Sequence, residues 1–296
     1  MNDCQLTIVI PARDEADRLG GCLDALLAQD GDEAVRIVVV ANGCRDNTAQ
    51  LARDRADALR ERGHQIVVLD LAQAGKPAAL NAGDRHADGC RIYLDADAAL
   101  APDAVAVMHR ALHADGAAPR LVSPRPRFTL AEPRPRLGSG SRSGKPGSAA
   151  GAGRLAAGYF AVWSQLPAVR GQVIGGGCYA VNAAGRQRWR DFPPLVADDA
   201  FVRGQFAPAE RQLVESEFVT AFPDRERLVR VVRRWRAGNR ELALSGHGKP
   251  GAGVLRNLAL VARRPSLWRH IPAFIYVLTL TRAPSGQDDR SPAWTR

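Results

Sequence analysis

Between Leu6 and Leu94 short apolar runs rich in β-branched residues alternate with longer stretches compatible with a helix. Leu6–Ile10, Val35–Val40 and Gln65–Leu69 read as strands, and Leu19–Gln29 and Thr48–Arg62 read as the helices between them. This βαβαβ rhythm predicts an α/β fold. Arg91–Leu94 forms a further strand that runs directly into Asp95-Ala96-Asp97, after which Pro102 and Asp103 open a helix from Ala104 to His113. In open α/β sheets ligands bind beyond the carboxyl ends of the strands, so Pro11–Glu15, Asn42–Asp46 and Asp95–Asp97 are expected to line one crevice.

The pattern breaks from Ser123 to Gly153, where SPRPRF and EPRPR lead into a Gly- and Ser-rich run of low apolar content; a mobile loop is expected over 123–153. Order returns with a helix over Leu155–Leu166, a strand over Val173–Val181 around Gly175-Gly176-Gly177, and a helix after Asp198-Asp199. Arg225–Arg240 holds seven arginines on a helix-compatible stretch, followed by a Gly-rich loop over Ser245–Gly253. Ile271–Leu280 is apolar but far short of the roughly 20 residues that span a bilayer. It reads either as a segment lying on a membrane or as a buried helix that completes the core.

At 296 residues the chain fits one extended α/β domain, and 46% hydrophobic with 24% charged residues excludes global disorder. Five scattered cysteines without a C-x-x-C pair argue against a disulfide framework and a zinc site, which fits a reducing, cytoplasmic setting. No N-terminal segment has the parts of a signal peptide. A net charge of +10, mainly from arginine, favours phosphate-bearing partners or an anionic membrane.

Two carboxylates at one strand end, Asp95 and Asp97, suit a hard divalent cation that neutralises a diphosphate, Mg²⁺ or Mn²⁺. Their context adds weight. Pro11-Ala12-Arg13-Asp14-Glu15 follows the first strand, Asn42-Gly43-Cys44-Arg45-Asp46-Asn47-Thr48 follows the second, and Gly75-Lys76 with Ala79-Leu80-Asn81 precedes the acidic pair.

In these segments, taken in this order, the chain resembles glycosyltransferase family 2 over roughly residues 5 to 240. The resemblance implies a GT-A, Rossmann-like fold with a mostly parallel central sheet flanked by helices, and inverting transfer from a nucleotide-diphosphate sugar to a hydroxyl acceptor. By position it puts Pro11, Arg13 and Glu15 beside the nucleoside, Asn42 near the base, Lys76 by the base or phosphates, Asp95 near ribose or metal, and Asp97 on the metal. The family usually has Asp where this chain has Asn42, and often Ser at Cys44, so base recognition is expected to differ.

Asp198-Asp199 matches the family's acidic pair, whose second carboxylate acts as base; Asp199 is the first candidate and Asp198 the second. Gly176 lies in a glycine-containing strand on the acceptor side. Arg234 and Trp235 resemble the end of a Q-x-x-R-W element that lacks its Gln, Val231 standing there, and would shape the acceptor and diphosphate end of the cleft. His247 and Lys249 are candidates to close over the leaving group. Each has a plainer reading, as a cap, a turn, a bulge or a solvated side chain.

The expected layout is a GT-A domain over 1–245, with a donor half at 1–115 and an acceptor half at 155–245, then a loop and helical tail over 246–296. The basic C-terminal third and the apolar segment suggest a lipid-linked or cell-envelope acceptor and peripheral contact with the inner face of the plasma membrane. A sugar nucleotidyltransferase is the enzymatic alternative, although Pro11–Glu15 lacks its Gly-rich basic loop. The other is a non-catalytic polyanion-binding protein; nucleic acid is disfavoured because no aromatic-rich RNA motif accompanies the arginines. The i,i+4 pair His109 and His113 lacks the glutamate a zinc protease needs, and Gly144-Lys145-Pro146 and Gly248-Lys249-Pro250 fail as P-loops.

Overall fold

The structure is a computed structural model that describes residues 6–31, 33–114, 116, 118–129, 147–167, 169–244 and 263–282. Strand β1 (Leu6–Ala12) is buried along its whole length and pairs in parallel with β2 (Arg36–Asn42) on one side and β4 (Cys90–Leu94) on the other. Burial on both faces is why these strands are continuously apolar. The edge strand β3 (Gln65–Leu71) pairs in parallel with β2 and is largely half-exposed.

The second half reverses direction. Strand β7 (Cys178–Val181) runs antiparallel to β4, and β6 (Leu121–Thr129) runs antiparallel to β7. Strand β8 (Arg211–Ala221) lies parallel to β6, and the short β5 (Ala98–Leu100) pairs antiparallel with β8. One eight-stranded sheet results, in the order β3-β2-β1-β4-β7-β6-β8-β5.

Alternation along β1 divides its side chains between two cores. Ile8 and Ile10 pack with Leu19, Leu23 and Leu26 of α1 (Ala16–Leu27) and with Met108 and Leu112 of a helix over Ala104–His113. Val9 faces the other way, towards Leu80, Tyr93, Tyr179, Phe201 and Phe206. The remaining helices, in chain order, are α2 (Thr48–Asp54), α3 (Ala56–Glu61), α4 (Lys76–Asp84), α5 (the Ala104–His113 helix), α6 (Gly147–Trp163), α7 (Ala183–Arg186), α8 (Asp198–Gly204), α9 (Arg225–Leu244) and α10 (Ile271–Leu280). A separate apolar cluster joins Tyr159, Phe160 and Val162 of α6 to Leu228 and Val232 of α9 and Phe274 and Val277 of α10.

Several expectations need correction. The single helix over Thr48–Arg62 breaks at Arg55, whose guanidinium reaches back to Asp24 of α1 at 2.8 and 3.3 Å. The strand over Val173–Val181 shortens to Cys178–Val181, because Gly175 (φ +69°) and Gly177 (φ +123°) adopt conformations that a strand does not use. The segment expected as a loop over 123–153 is ordered at both ends. β6 continues to Thr129, with Pro124 accommodated at a register shift between Ser123 and Arg125, and α6 begins at Gly147; residues 130–146 lie outside those described. The 263–282 part of the tail packs on α6. No helix among the described residues is long and apolar enough to cross a membrane.

Candidate active site

The carboxyl ends of β1, β2 and β4 come together as the strand pattern requires. The loop after β1 is fixed by the loop after β2: the Asp14 carboxylate accepts from the Arg45 amide at 2.7 Å, and Asp46 accepts from the amides of Ala16 (3.1 Å) and Thr48 (3.0 Å). The Thr48 hydroxyl in turn accepts from the Glu15 amide at 2.9 Å. Asp14, Cys44 and Asp46 are close enough together to hold a metal ion, yet the two carboxylates are committed to bracing these loops. The bracing holds Asp14 at φ +50°.

Asn42 is fully buried, and both ends of its amide are used internally. Its Nδ2 donates to the Ala12 carbonyl at 2.8 Å, and its Oδ1 accepts from the Gly75 amide at 3.0 Å. A carboxylate could not make the first of these bonds, so Asn in place of the family's usual Asp links three strand-end segments. Asn42 thus braces these segments from a buried position. The adjoining Gly43 (φ +61°) sits against Ala74 so closely that a Cβ would lie 2.8 Å from the Ala74 nitrogen. Pro11 is also buried, within the β1–β2 ladder. Arg13 is half-buried, with Nη1 enclosed and no hydrogen-bond partner among the described residues.

At the end of β4 the acidic pair meets two protein cations. Lys76, at the start of α4, bridges Asp95 (2.8 Å) and Asp198 (3.0 Å), while Arg227 of α9 reaches Asp97 at 2.7 Å. Burial alone would depress the Lys76 pKa, but the two carboxylates more than compensate and raise it above the usual lysine range. Glu15 also lies within electrostatic reach of Asp97; burial, then repulsion from Asp97, raise its pKa, and its bond to Arg18 at 2.9 Å opposes the rise. Two oxygen-donor carboxylates, each drawing a cation, fit a hard divalent ion of the Mg²⁺ or Mn²⁺ kind.

The acidic pair that opens α8 divides into two environments. Asp198 is buried, paired with Lys76 on one oxygen and accepting from the Tyr179 hydroxyl at 3.0 Å on the other. Asp199 is half-buried and accepts from the amide of Ala200 at 2.8 Å. Burial, followed by the charge of Asp198, pushes its carboxyl up to about 6. Gly175 lies against it: a Cβ on Gly175 would come 2.8 Å from the Asp199 Cβ. The same turn reaches the acidic pair of β4, where the Asp95 amide donates to the Gly177 carbonyl at 2.8 Å. Gly176, between them, is exposed, and a Cβ there would meet nothing within 4 Å. This turn thus links Asp95 to Asp199 and leaves open space at its middle.

Other expected residues lie elsewhere. Trp235 is stacked on Trp163 (ring centroids 5.4 Å apart) and touches Phe160, so it belongs to the aromatic core of α6 and α9. Arg234 is half-buried on α9, about two turns beyond Arg227. His247 and Lys249 fall outside the described residues. Sequence reasoning missed Arg227, Tyr179 and the role of Gly175; only the arginine-rich pattern of Arg225–Arg240 hinted at the first. Nor is that run a solvated stripe. Arg225 donates to the Tyr276 hydroxyl (2.5 Å), Arg233 to the Leu280 carbonyl (2.7 Å) and Arg236 to Thr281 (3.0 Å), which ties α9 to α10.

A mostly parallel sheet with flanking helices gives the chain the fold of the GT-A glycosyltransferases. Residues 7–142 match the family model described as Glycosyl transferase family 2. Among solved structures it is similar to a mannosyltransferase from Pyrobaculum calidifontis in complex with GDP-Man and Mn²⁺, at 20% identity and TM-score 0.58, covering 98% of this chain and 77% of that one. A weaker likeness is to glucosyl-3-phosphoglycerate synthase from Mycobacterium tuberculosis, at 15% identity and TM-score 0.49, covering 85% and 83%. S. aureus TarS 1-349 in complex with UDP gives 14% identity and TM-score 0.47, covering 94% and 90%. Curated proteins provide no match.

Proposed function

We propose that this protein transfers a sugar from a nucleotide-diphosphate sugar to a hydroxyl acceptor with inversion, and that Asp199 is the general base. The observation that carries this reading is the contrast within the acidic pair. Asp198 is neutralised by Lys76 and Tyr179, whereas Asp199 has its basicity raised beside an open glycine turn connected to Asp95. A base needs a pKa near the working pH and an approach for the acceptor, and Asp199 combines the two.

Asp97 and Asp95 would hold Mg²⁺ or Mn²⁺, which would neutralise charge growing on the diphosphate leaving group. Lys76 keeps Asp95 and Asp198 at a fixed separation by bonding both. Arg13 offers its enclosed Nη1 to the nucleotide side of the crevice, with Glu15 and Pro11 beside it, and Asn42 acts through the loops that it joins. The acceptor hydroxyl approaches over Gly176 and gives its proton to an Asp199 oxygen as it attacks the anomeric carbon. A nucleotidyltransferase has less support, because the family match lies with glycosyl transfer. Simple polyanion binding has less as well, because several α9 arginines are engaged within the chain.

The reading is tested by thermal-shift measurements with UDP, GDP and dTDP and their sugar conjugates, each with Mn²⁺, Mg²⁺ or EDTA. A folded-state ligand at about 100 times its Kd stabilises by about 2.7 kcal/mol, a shift of a few degrees. We expect such a shift with one nucleotide and its loss with EDTA; silence across the whole panel would transfer support to the binding-only alternative.

For the acceptor, the charge and exposure of 263–282 favour one found at a membrane surface. Trp268 (56% exposed), Ile275 (43%) and Tyr276 (41%) lie in a segment with Arg263, Arg264, Arg269, Arg282 and His270 and no acidic residue. Aromatic and aliphatic groups flanked by cations suit the interface of an anionic bilayer. Phe274 and Val277 of the same helix are buried, so deleting the segment would damage the fold. Ile275→Ser with Arg269→Glu is the cleaner variant. It is expected to remain in the soluble fraction when wild type floats with anionic liposomes, and equal flotation of both proteins would defeat the idea.

A further inference from the structure

Arg227 occupies the ground on which a divalent ion held by Asp97 would sit. Its Nη2 lies 2.7 Å from Asp97 Oδ2, and the Arg227 side chain is 29% exposed. The pair does more than satisfy itself: the charge on Arg227 also relieves Glu15, which Asp97 repels. When a divalent ion takes its place on Asp97, the guanidinium stands next to a like charge and is driven off. The backbone at Arg227 does not have to follow, because its amide is fixed to the Asp224 carboxylate at 2.8 Å in the first turn of α9. Only the flexible side chain swings. The anion that enters with the ion is a diphosphate, whose oxygens match a guanidinium fork.

On the reading that this crevice takes a nucleotide-diphosphate donor, we propose that Arg227 is an exchangeable counter-charge. It holds Asp97 while the donor is absent and transfers to the donor diphosphate when a divalent cation replaces it. Arg227 then opposes the ion alone and favours the ion with the nucleotide. The site consequently resists filling by free metal and accepts metal and donor together.

The test is binding, measured by calorimetry on the full chain, for Mn²⁺ alone and for UDP, GDP and dTDP in the presence of Mn²⁺, with wild type, Arg227→Ala and Arg227→Lys. Arg227→Ala is expected to bind Mn²⁺ alone about two- to fivefold more tightly, because a competing ion pair is gone. The same variant is expected to bind the preferred nucleoside diphosphate with Mn²⁺ about tenfold or more weakly, because a charge-assisted bond to phosphate is gone. Arg227→Lys keeps the charge and should restore most of both effects. If wild type binds none of the three nucleotides, the donor-site reading itself has failed. If wild type binds one, and Arg227→Ala changes metal and nucleotide affinity in the same direction or leaves either unaltered, the exchange is wrong while the donor site stands.

Discussion

Replacing Asp199 with Asn is expected to lower the transfer rate by about 10²–10⁴-fold while nucleotide binding persists, because an amide cannot accept the acceptor's proton. In wild type the rate should rise with pH through the carboxyl's value of about 6, since only the ionised form is a base. The same shift makes a statement about stability. The folded state holds the proton of Asp199 more tightly than the unfolded chain, whose value is near 3.8. The group's favourable contribution is therefore complete below 3.8 and is lost as pH rises through about 6. Asp199→Asn, neutral throughout, should accordingly stabilise the protein at neutral pH by on the order of 1–2 kcal/mol and make little difference in acid. Rates within about tenfold of wild type, or a stability difference that ignores pH, would remove Asp199 from the role of base.

The largest loss of stability is expected far from that chemistry, at the end of α4 opposite Lys76. Asp84 is 7% exposed and accepts from Arg91 Nε (3.1 Å), the Tyr93 hydroxyl (2.8 Å) and Arg186 Nε (2.7 Å). The Arg186 guanidinium also lies 4.6 Å from the centre of the Trp189 ring. Asp84→Ala would leave two enclosed guanidinium groups without their shared anion, and removing one partner of a buried ion pair costs about 3–5 kcal/mol. Urea unfolding should show that loss, with activity per folded molecule retained. A change below about 1 kcal/mol would mean that water compensates the arginines as it does at a surface.

The N-terminal half was the legible part of this chain. Its strands are buried on both faces and therefore apolar without interruption, and each ends in a polar loop, so β1, β2 and β4 and the residues beyond them could be read from local pattern alone. The C-terminal half was less so. The glycine turn looked like strand because its flanking residues are apolar, and only the positive φ of Gly175 and Gly177 removes it from the sheet. β8 alternates between buried and exposed positions under a charged sequence, and β5 is too short to leave a periodic trace. The partners of the acidic residues were harder still. Lys76 meets Asp198, and Asp97 meets Arg227, across separations that only the sheet order creates. Chemistry could assign carboxylates to a cleft; it could not say which of two adjacent aspartates would be silenced by a lysine from another helix.

The packing of α10 on α6 sets an order of events during synthesis. The strands β1 to β4 with α1 to α5 come from the first stretch of chain to emerge and can bury part of one face among themselves, Ile8 and Ile10 against Leu23 and Met108, while Val9 on the other face waits for Tyr179 and Phe201. The aromatic core cannot: Tyr159 and Phe160 wait for Phe274 and Val277, which are made much later. Until those residues leave the ribosome, the nascent chain carries an open aromatic surface, the kind of exposure that invites association between partly made chains. The last described helix is in that sense a closing piece.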